Sequence, residues 1–396
     1  MKTTLVLATL VAVLYARTFK METRSSGSLR ARLIRANLYH EYLEQLHILP
    51  AQVLKKRSQV LRDYFDEFYI GNVTIGTPEQ TVSLLLDTSS SNLWVIDDSC
   101  DTYTCNGSLT DLYTRHKFHS TKSSSLSNEN TTLFILYESG GWCGGPLVSD
   151  AVSFAGMTIE KQEFVMATDI SDIYQYMPFD GILGLGWPAL AVGQITTPMQ
   201  NVLPSLDAPL FTVWMDRKIY MSFGDNAGLV TYGAIDTTNC HSDINYVPLT
   251  SEIYWQFAVD EFSIGTYSYQ KKGQAISDTG NSRIWVPTPV MDGIANQTGA
   301  YFDPAYEVYG VPCSTMMTQP NLKFTINGIK YSVPSVEYVL DVGFGPDECI
   351  LGVYEILAGG FGPDWILGDT WVRTFCNIYD FGQKRIGFAT AIHSQT

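Results

Sequence analysis

Two short stretches of this 396-residue sequence carry the same unusual set of side chains. The first is Asp87-Thr88-Ser89-Ser90-Ser91-Asn92-Leu93-Trp94-Val95. The second is Asp278-Thr279-Gly280-Asn281-Ser282-Arg283-Ile284-Trp285-Val286, and five of the nine positions are identical. In each, an apolar run (83–86 and 275–277) ends on an aspartate followed by threonine. A carboxylate at the end of such a run is costly to bury unless it is hydrogen-bonded, and the neighbouring hydroxyls and backbone N–H groups supply donors. Taken singly, either stretch also reads as an Asx-turn at a strand end. Taken as a pair on two related halves, they bring two carboxylates face to face. Carboxylates about 3 Å apart cannot both ionise, so one pKa rises and the other falls, giving an acid and a base in one place. A water molecule held between them is the natural reactant.

The elements that must position this pair are also repeated. Gly181-Ile182-Leu183-Gly184 follows the first stretch and Trp365-Ile366-Leu367-Gly368 the second; Ile182 lies 95 residues after Asp87 and Ile366 lies 88 after Asp278. Two motifs in the same order at similar spacing indicate a duplicated, two-lobed body. From Tyr69 onward, short β-branched and aromatic runs (69–75, 81–86, 133–137, 246–249 and 323–326) alternate with Gly, Pro, Asn and Asp. That pattern predicts a mainly β, mostly antiparallel fold with few helices.

Composition narrows the function. Hydrophobic residues make up 45% and charged residues 16%, which excludes a disordered chain, and a net charge of −15 argues against nucleic-acid binding. The charge is unevenly placed: residues 17–62 carry +7 and residues 63–396 carry −23. A basic arm complements its own acidic body, although an arm for an external partner is the alternative. Residues 1–16 read as a secretory signal, with Lys2 before an apolar run and Ala16 as a small cleavage residue. That run is too short to span a bilayer, and no membrane span is expected elsewhere. Residues 17–62 lack strand alternation and read as a removable pro-segment of two helices, 28–46 and 51–62, split at Pro50.

Secretion implies oxidised cysteines, and there are seven, so at least one has no internal partner. Cys100 and Cys105 enclose a four-residue loop, as a local staple would. No Cys-x-x-Cys pair is present, and His116-x-x-His119 lies in a polar stretch, so no metal is expected. The sequons at Asn72, Asn106, Asn130 and Asn296 are glycosylation candidates once secretion is accepted. His-Glu-x-x-His, Gly-x-Ser-x-Gly and Gly-x-x-x-x-Gly-Lys signatures are absent from the sequence.

Residues 63–396 resemble the pepsin-like aspartic endopeptidases, the group that holds pepsin and cathepsin D. Ile75-Gly76-Thr77-Pro78, Asp87 to Val95, Phe179-Asp180-Gly181-Ile182-Leu183-Gly184-Leu185, Asp278-Thr279-Gly280 and Ile366-Leu367-Gly368-Asp369 carry the likeness. The resemblance implies a bilobal pepsin-like fold, with pseudo-twofold-related β lobes at 63–236 and 237–396, a cleft between them and a β-hairpin flap above. It implies that Asp87 and Asp278 are the catalytic pair, supported by Thr88, Ser90, Thr279 and Gly280. Tyr137 and Trp94 match the flap tyrosine and its indole partner, while Phe179 and Ile182 match apolar pocket walls. The implied reaction is hydrolysis of peptide bonds in acid, next to bulky hydrophobic residues, with no cofactor. Protein and peptide substrates and the chain's own propeptide are the implied partners, and a monomer is expected. The family's disulfides pair Cys100 with Cys105 and Cys313 with Cys349; Cys240 with Cys376 is then assigned by elimination, leaving Cys143 free. The implied setting is the secretory pathway, either exported or in an acidic lysosome-like compartment, with an activation cut between residues 57 and 63.

Several residues depart from the pattern. Ser89 stands where the family nearly always has glycine, adding a Cβ and a hydroxyl in a tight place. Glu138 follows the flap tyrosine, Gly140-Gly141-Trp142-Cys143 forms an unusual flap, and Arg283 replaces an apolar residue. The pro-segment lacks a clear match to the family's Lys-Tyr plug. The alternative function is therefore an impaired homologue that binds peptides in its cleft.

Overall fold

The computed structural model describes residues 18–25, 32–33, 36, 38–42, 68–107, 113–137, 140–217, 226–356 and 362–393. The expected signal, the 51–62 helix, the 57–63 cleavage window and Glu138 fall outside these residues.

The fold is mainly β. Strand Tyr69–Ile75 shows how the pattern produces it: Tyr69, Gly71, Val73 and Ile75 are buried, while the residues between them are not. This strand pairs antiparallel with Gln80–Asp87 from Ile70↔Leu85 to Ile75↔Gln80. They belong to a fourteen-stranded sheet that draws on both halves of the chain. At its centre, Leu210–Met215 lies between Asn226–Tyr232 and Phe375–Asp380, and the latter pairs onward with Arg385–Thr390. The second half adds a five-stranded sheet and two four-stranded sheets.

Aromatic packing ties the halves together behind the site. Phe211 stacks on Tyr379 at 4.6 Å, and Trp255 lies edge-on to Tyr379 at 5.0 Å and tilted against Trp187 at 5.1 Å. Trp255 is wholly buried, and burial of such large rings contributes about 1.5–3 kcal/mol each.

One expectation is corrected. Residues 17–62 read as strand-free, yet Phe19–Ser25 is a β-strand inside the large sheet. It pairs antiparallel with Asn226–Tyr232 from Phe19↔Tyr232 to Thr23↔Gly228, and Arg24 and Ser25 reach Ile70 and Tyr69. Met21 and Thr23 turn inward while Lys20, Glu22 and Arg24 face solvent, so a two-residue period is present but sits among charges. Helical turns occur at Arg32–Leu33 and at residues 39–42, inside the expected 28–46 helix.

Candidate active site

Each repeat folds into the same knot of strands. Gly181–Gly184 runs parallel to Gln80–Asp87, with Asp87 opposite Gly184, and antiparallel to Leu93–Ile96. Trp365–Leu367 likewise runs parallel to Gly273–Ser277 and antiparallel to Ile284–Pro287. The loop bearing each aspartate is therefore closed over the strand that threads beneath it. Glycine is required where that strand leaves: a Cβ on Gly184 would come within 2.5 Å of Ser91 backbone atoms, and one on Gly368 within 2.1 Å of the Asn281 carbonyl. Asp278 N–H donates to Leu367 O at 3.1 Å, and Leu185 N–H donates to Asp87 O at 2.7 Å.

The two loops are clasped by their threonines. Thr88 N–H donates to Thr279 Oγ1 at 3.1 Å, and Thr279 N–H donates to Thr88 Oγ1 at 3.0 Å. Each hydroxyl then donates across to the opposite strand, Thr88 Oγ1 to Ser277 O at 3.0 Å and Thr279 Oγ1 to Leu86 O at 2.6 Å. Thr88 and Thr279 are buried, so these four bonds form out of contact with water. They bring Asp87 and Asp278 into the lining of one cleft. The carboxylates converge closely: a Cβ on Gly280 would lie 2.7 Å from Asp87 Oδ1 and 3.2 Å from Asp278 Oδ1. Ser90 Oγ donates to Asp87 Oδ2, Ser89 N–H donates to Asp87 Oδ1 at 2.8 Å, and Gly280 N–H donates to Asp278 Oδ1 at 2.9 Å.

Strands Ser127–Leu136 and Trp142–Phe154 form a hairpin whose tip bears Tyr137. Trp94 Nε1 donates to the Tyr137 hydroxyl at 2.8 Å. Burial, with Cys143, Tyr174 and Asp87 nearby, holds the Tyr137 phenol well above its ordinary pKa, so it stays neutral in acid. Phe179 and Ile182 line the cleft. Tyr174, Met177, Val192, Tyr254 and Trp285 line it too. Trp285 lies in the second repeat, on strand Ile284–Pro287, but the repeat does not mark it as a wall residue; the other four carry no motif, and their aromatic or apolar character is the one signal that points to them.

Arg115 is a further residue that sequence reasoning overlooked. It donates to the carbonyls of Tyr174 (2.7 Å), Met177 (3.2 Å) and Phe179, fastening the segment that carries this apolar wall. Burial lowers its pKa, opposed by nearby Asp180. Asp180 is itself buried, its carboxyl raised by desolvation, and it accepts from Ser83 N–H and His116 N–H at 2.8 Å each. His116 and His119 point to separate carboxylates, Asp180 and Asp98.

The disulfides are Cys100–Cys105, Cys240–Cys376 and Cys313–Cys349, and Cys143 is free and buried on the second strand of the hairpin. Arg283 is buried with its guanidinium 3.8 Å over the Tyr354 ring, a cation–π contact that accommodates charge where an apolar residue was expected. Asn72, Asn106, Asn130 and Asn296 are all exposed. Among the described residues no helix is long and apolar enough to cross a membrane.

Side chains of the N-terminal segment join the apolar cluster that runs behind the cleft wall. Leu33, Tyr39 and Tyr42 are buried in the same apolar cluster as Trp94, Phe179, Ile182 and Ile366. Tyr39 stacks on Tyr306 and donates to its carbonyl at 3.1 Å, and Tyr42 lies edge-on to Tyr176 at 5.3 Å.

Comparison with known proteins agrees with this geometry. Residues 68–391 match the family model described as eukaryotic aspartyl protease. The chain is 50% identical to aspartic protease 1 of Caenorhabditis elegans over 98% of its own length and 99% of the relative's. Aspartic protease 17 of the same organism is 52% identical, with 96% of each chain covered, and human gastricsin is 35% identical, with 83% and 82% covered. A duplicated strand knot, a pair of converging aspartates and a tyrosine-tipped flap thus coincide with a family match over nearly the whole body: the chain belongs to the eukaryotic aspartyl proteases.

Proposed function

We propose that Asp87 and Asp278 are the catalytic pair of this aspartic endopeptidase. The observation that carries the assignment is the crossed Thr88–Thr279 clasp, which delivers both carboxylates to one cleft. With a single proton shared between them, the ionised carboxylate takes a proton from a water molecule while the protonated one polarises the scissile carbonyl. The tetrahedral diol then collapses with proton transfer to the leaving amine. The apolar wall of Phe179, Ile182, Met177 and Tyr174 supports a preference for bulky hydrophobic residues beside the cut.

The chain as described is a zymogen form in this reading, with 1–16 as signal, 17–62 as propeptide, and lobes at 63–236 and 237–396. Support comes from Leu33, Tyr39 and Tyr42, which are buried in one apolar cluster with the cleft-wall residues Phe179, Ile182 and Ile366. The +7 segment faces a −23 body, and that attraction fades as carboxylates protonate below about pH 4–5. Three disulfides support passage through the secretory pathway, towards export or an acidic compartment. The exposed sequons support glycosylation there, and the enzyme works as a monomer.

The test is acid treatment followed by cleavage of denatured haemoglobin or casein, with and without pepstatin. Asp278→Asn keeps shape but removes the shared proton, so turnover falls by several orders of magnitude while the protein stays folded. Turnover at the wild-type level in that variant refutes the assignment. N-terminal sequencing after hours at pH 3–4 shows a new end near residues 57–63; an intact chain refutes autoactivation.

A further inference from the structure

The duplication is broken at the second residue after each aspartate, which is Ser89 in one lobe and Gly280 in the other. Backbone strain does not explain the difference, because Ser89 lies outside the positive-φ region. Both residues use their backbone in the same way, each N–H donating to its own aspartate's Oδ1, at 2.8 and 2.9 Å. Ser89 does more. Its Oγ donates to the same Asp87 Oδ1 at 2.7 Å, while Ser90 Oγ serves Oδ2. Asp87 thus receives two hydroxyl donors from its own loop. The matching positions in the second lobe are Gly280 and Asn281, neither of which has a hydroxyl. Asn281 directs its Oδ1 to Trp285 Nε1 at 2.8 Å and Arg283 N–H at 3.2 Å. Nor is there room to copy the serine there, since a Cβ on Gly280 would meet Asp87 Oδ1 at 2.7 Å.

Resting on the assignment of Asp87 and Asp278 as the catalytic pair, we propose that Ser89 is a positioning residue whose hydroxyl keeps the dyad's negative charge on Asp87 and its proton on Asp278, extending activity to lower pH. A hydroxyl aimed at a carboxylate stabilises the ionised form. The acid limb of the pH profile reports the first ionisation of the dyad, from two protons to one. The Ser89 hydroxyl donates to Asp87 alone, so it favours the singly ionised dyad that does the chemistry over the doubly protonated one. The alkaline limb reports loss of the dyad's last proton, where the charge that Ser89 serves is present before and after, and so moves little. The groups facing the pair from other elements are Tyr137 on the flap and Tyr379 on strand Phe375–Asp380, with Asp369 beside Tyr379. Burial pushes both phenols up, so they stay neutral throughout the acid range.

The experiment measures kcat/KM from pH 2 to 7 for the acid-treated wild type, Ser89→Ala, Ser89→Gly and Ser89→Thr, with Asp278→Asn as control. Ser89→Ala and Ser89→Gly should both move the acid limb upward by about one pH unit, leaving the alkaline limb in place. Ser89→Thr, which keeps the hydroxyl, should retain the wild-type limb. An acid limb unmoved in both Ala and Gly variants overturns the proposal, as does a shift in Gly alone, which would implicate the backbone. If Asp278→Asn cleaves like wild type, the catalytic assignment itself fails. If it is inactive while the Ser89 variants show an unmoved limb, only the role of Ser89 fails.

Discussion

Replacing Thr279 by valine tests whether the clasp holds the site together. Valine nearly preserves shape but deletes Oγ1, removing its acceptance from Thr88 N–H at 3.1 Å and its donation to Leu86 O at 2.6 Å. Thr88 is wholly buried and Thr279 is 3% exposed, so water cannot readily replace either bond. An orphaned buried group costs about 1–3 kcal/mol, which puts the pair at about 2–6 kcal/mol. The damage falls between the lobes, because Thr88 and Thr279 are 191 residues apart in sequence. If the aspartates separate by about 1 Å, kcat/KM falls roughly a hundredfold. Steady-state cleavage of one peptide and a thermal unfolding midpoint are measured on the wild type, Thr279→Val and Thr279→Ser. Serine keeps the oxygen and should stay near wild type in both assays. A valine variant with wild-type kcat/KM and an unchanged midpoint would refute the reasoning.

Three other outcomes follow from the structure. Arg115→Met strips the donor from three carbonyls of the cleft wall, so KM for a peptide with a bulky hydrophobic residue at the cut should rise by about tenfold, measured by initial rates. Cys143 is buried and its thiol is pushed up by desolvation, so iodoacetamide at pH 8 should label it only after denaturation, as mass spectrometry would show. His393 is held below its ordinary pKa by desolvation, so the unfolded chain takes up this proton first and stability is lost as pH falls from about 6.5 through the folded value. His393→Gln should flatten that part of the stability curve in denaturant titrations; an identical slope in the variant would remove His393 as the cause.

The strand knot and the aspartate pair it carries were legible because they are written in contiguous residues. Asp87-Thr88 and Asp278-Thr279, with Gly-Ile-Leu-Gly and Trp-Ile-Leu-Gly downstream, name both the knot and its cargo. Other features depend on distant contacts that no local pattern encodes. Phe19–Ser25 alternates correctly, but Lys20, Glu22 and Arg24 on its outer face made it read as part of a solvated basic arm. Arg115 sits among polar residues and carries no motif; only its donation to the carbonyls of Tyr174, Met177 and Phe179 shows that it fastens the cleft wall. Ser89 drew notice as a steric intruder. Its role as a donor depends on a side-chain direction that composition does not carry.

The clasp also bears on how the enzyme is made. Asp87 is translated early, yet the oxygen that fastens its loop belongs to Thr279, and the strand threaded under Asp278 is Trp365–Leu367. The backing sheet closes later still, with Phe375–Asp380 and Arg385–Thr390. A nascent chain therefore carries no assembled dyad until almost its whole length has been synthesised. Contacts so far apart in sequence form slowly, since long loops must be ordered before they repay the cost. On the proposed assignment of Asp87 and Asp278, incomplete products, whether from stalled translation or truncation before the last strands, are expected to be inert as peptidases without any inhibitor.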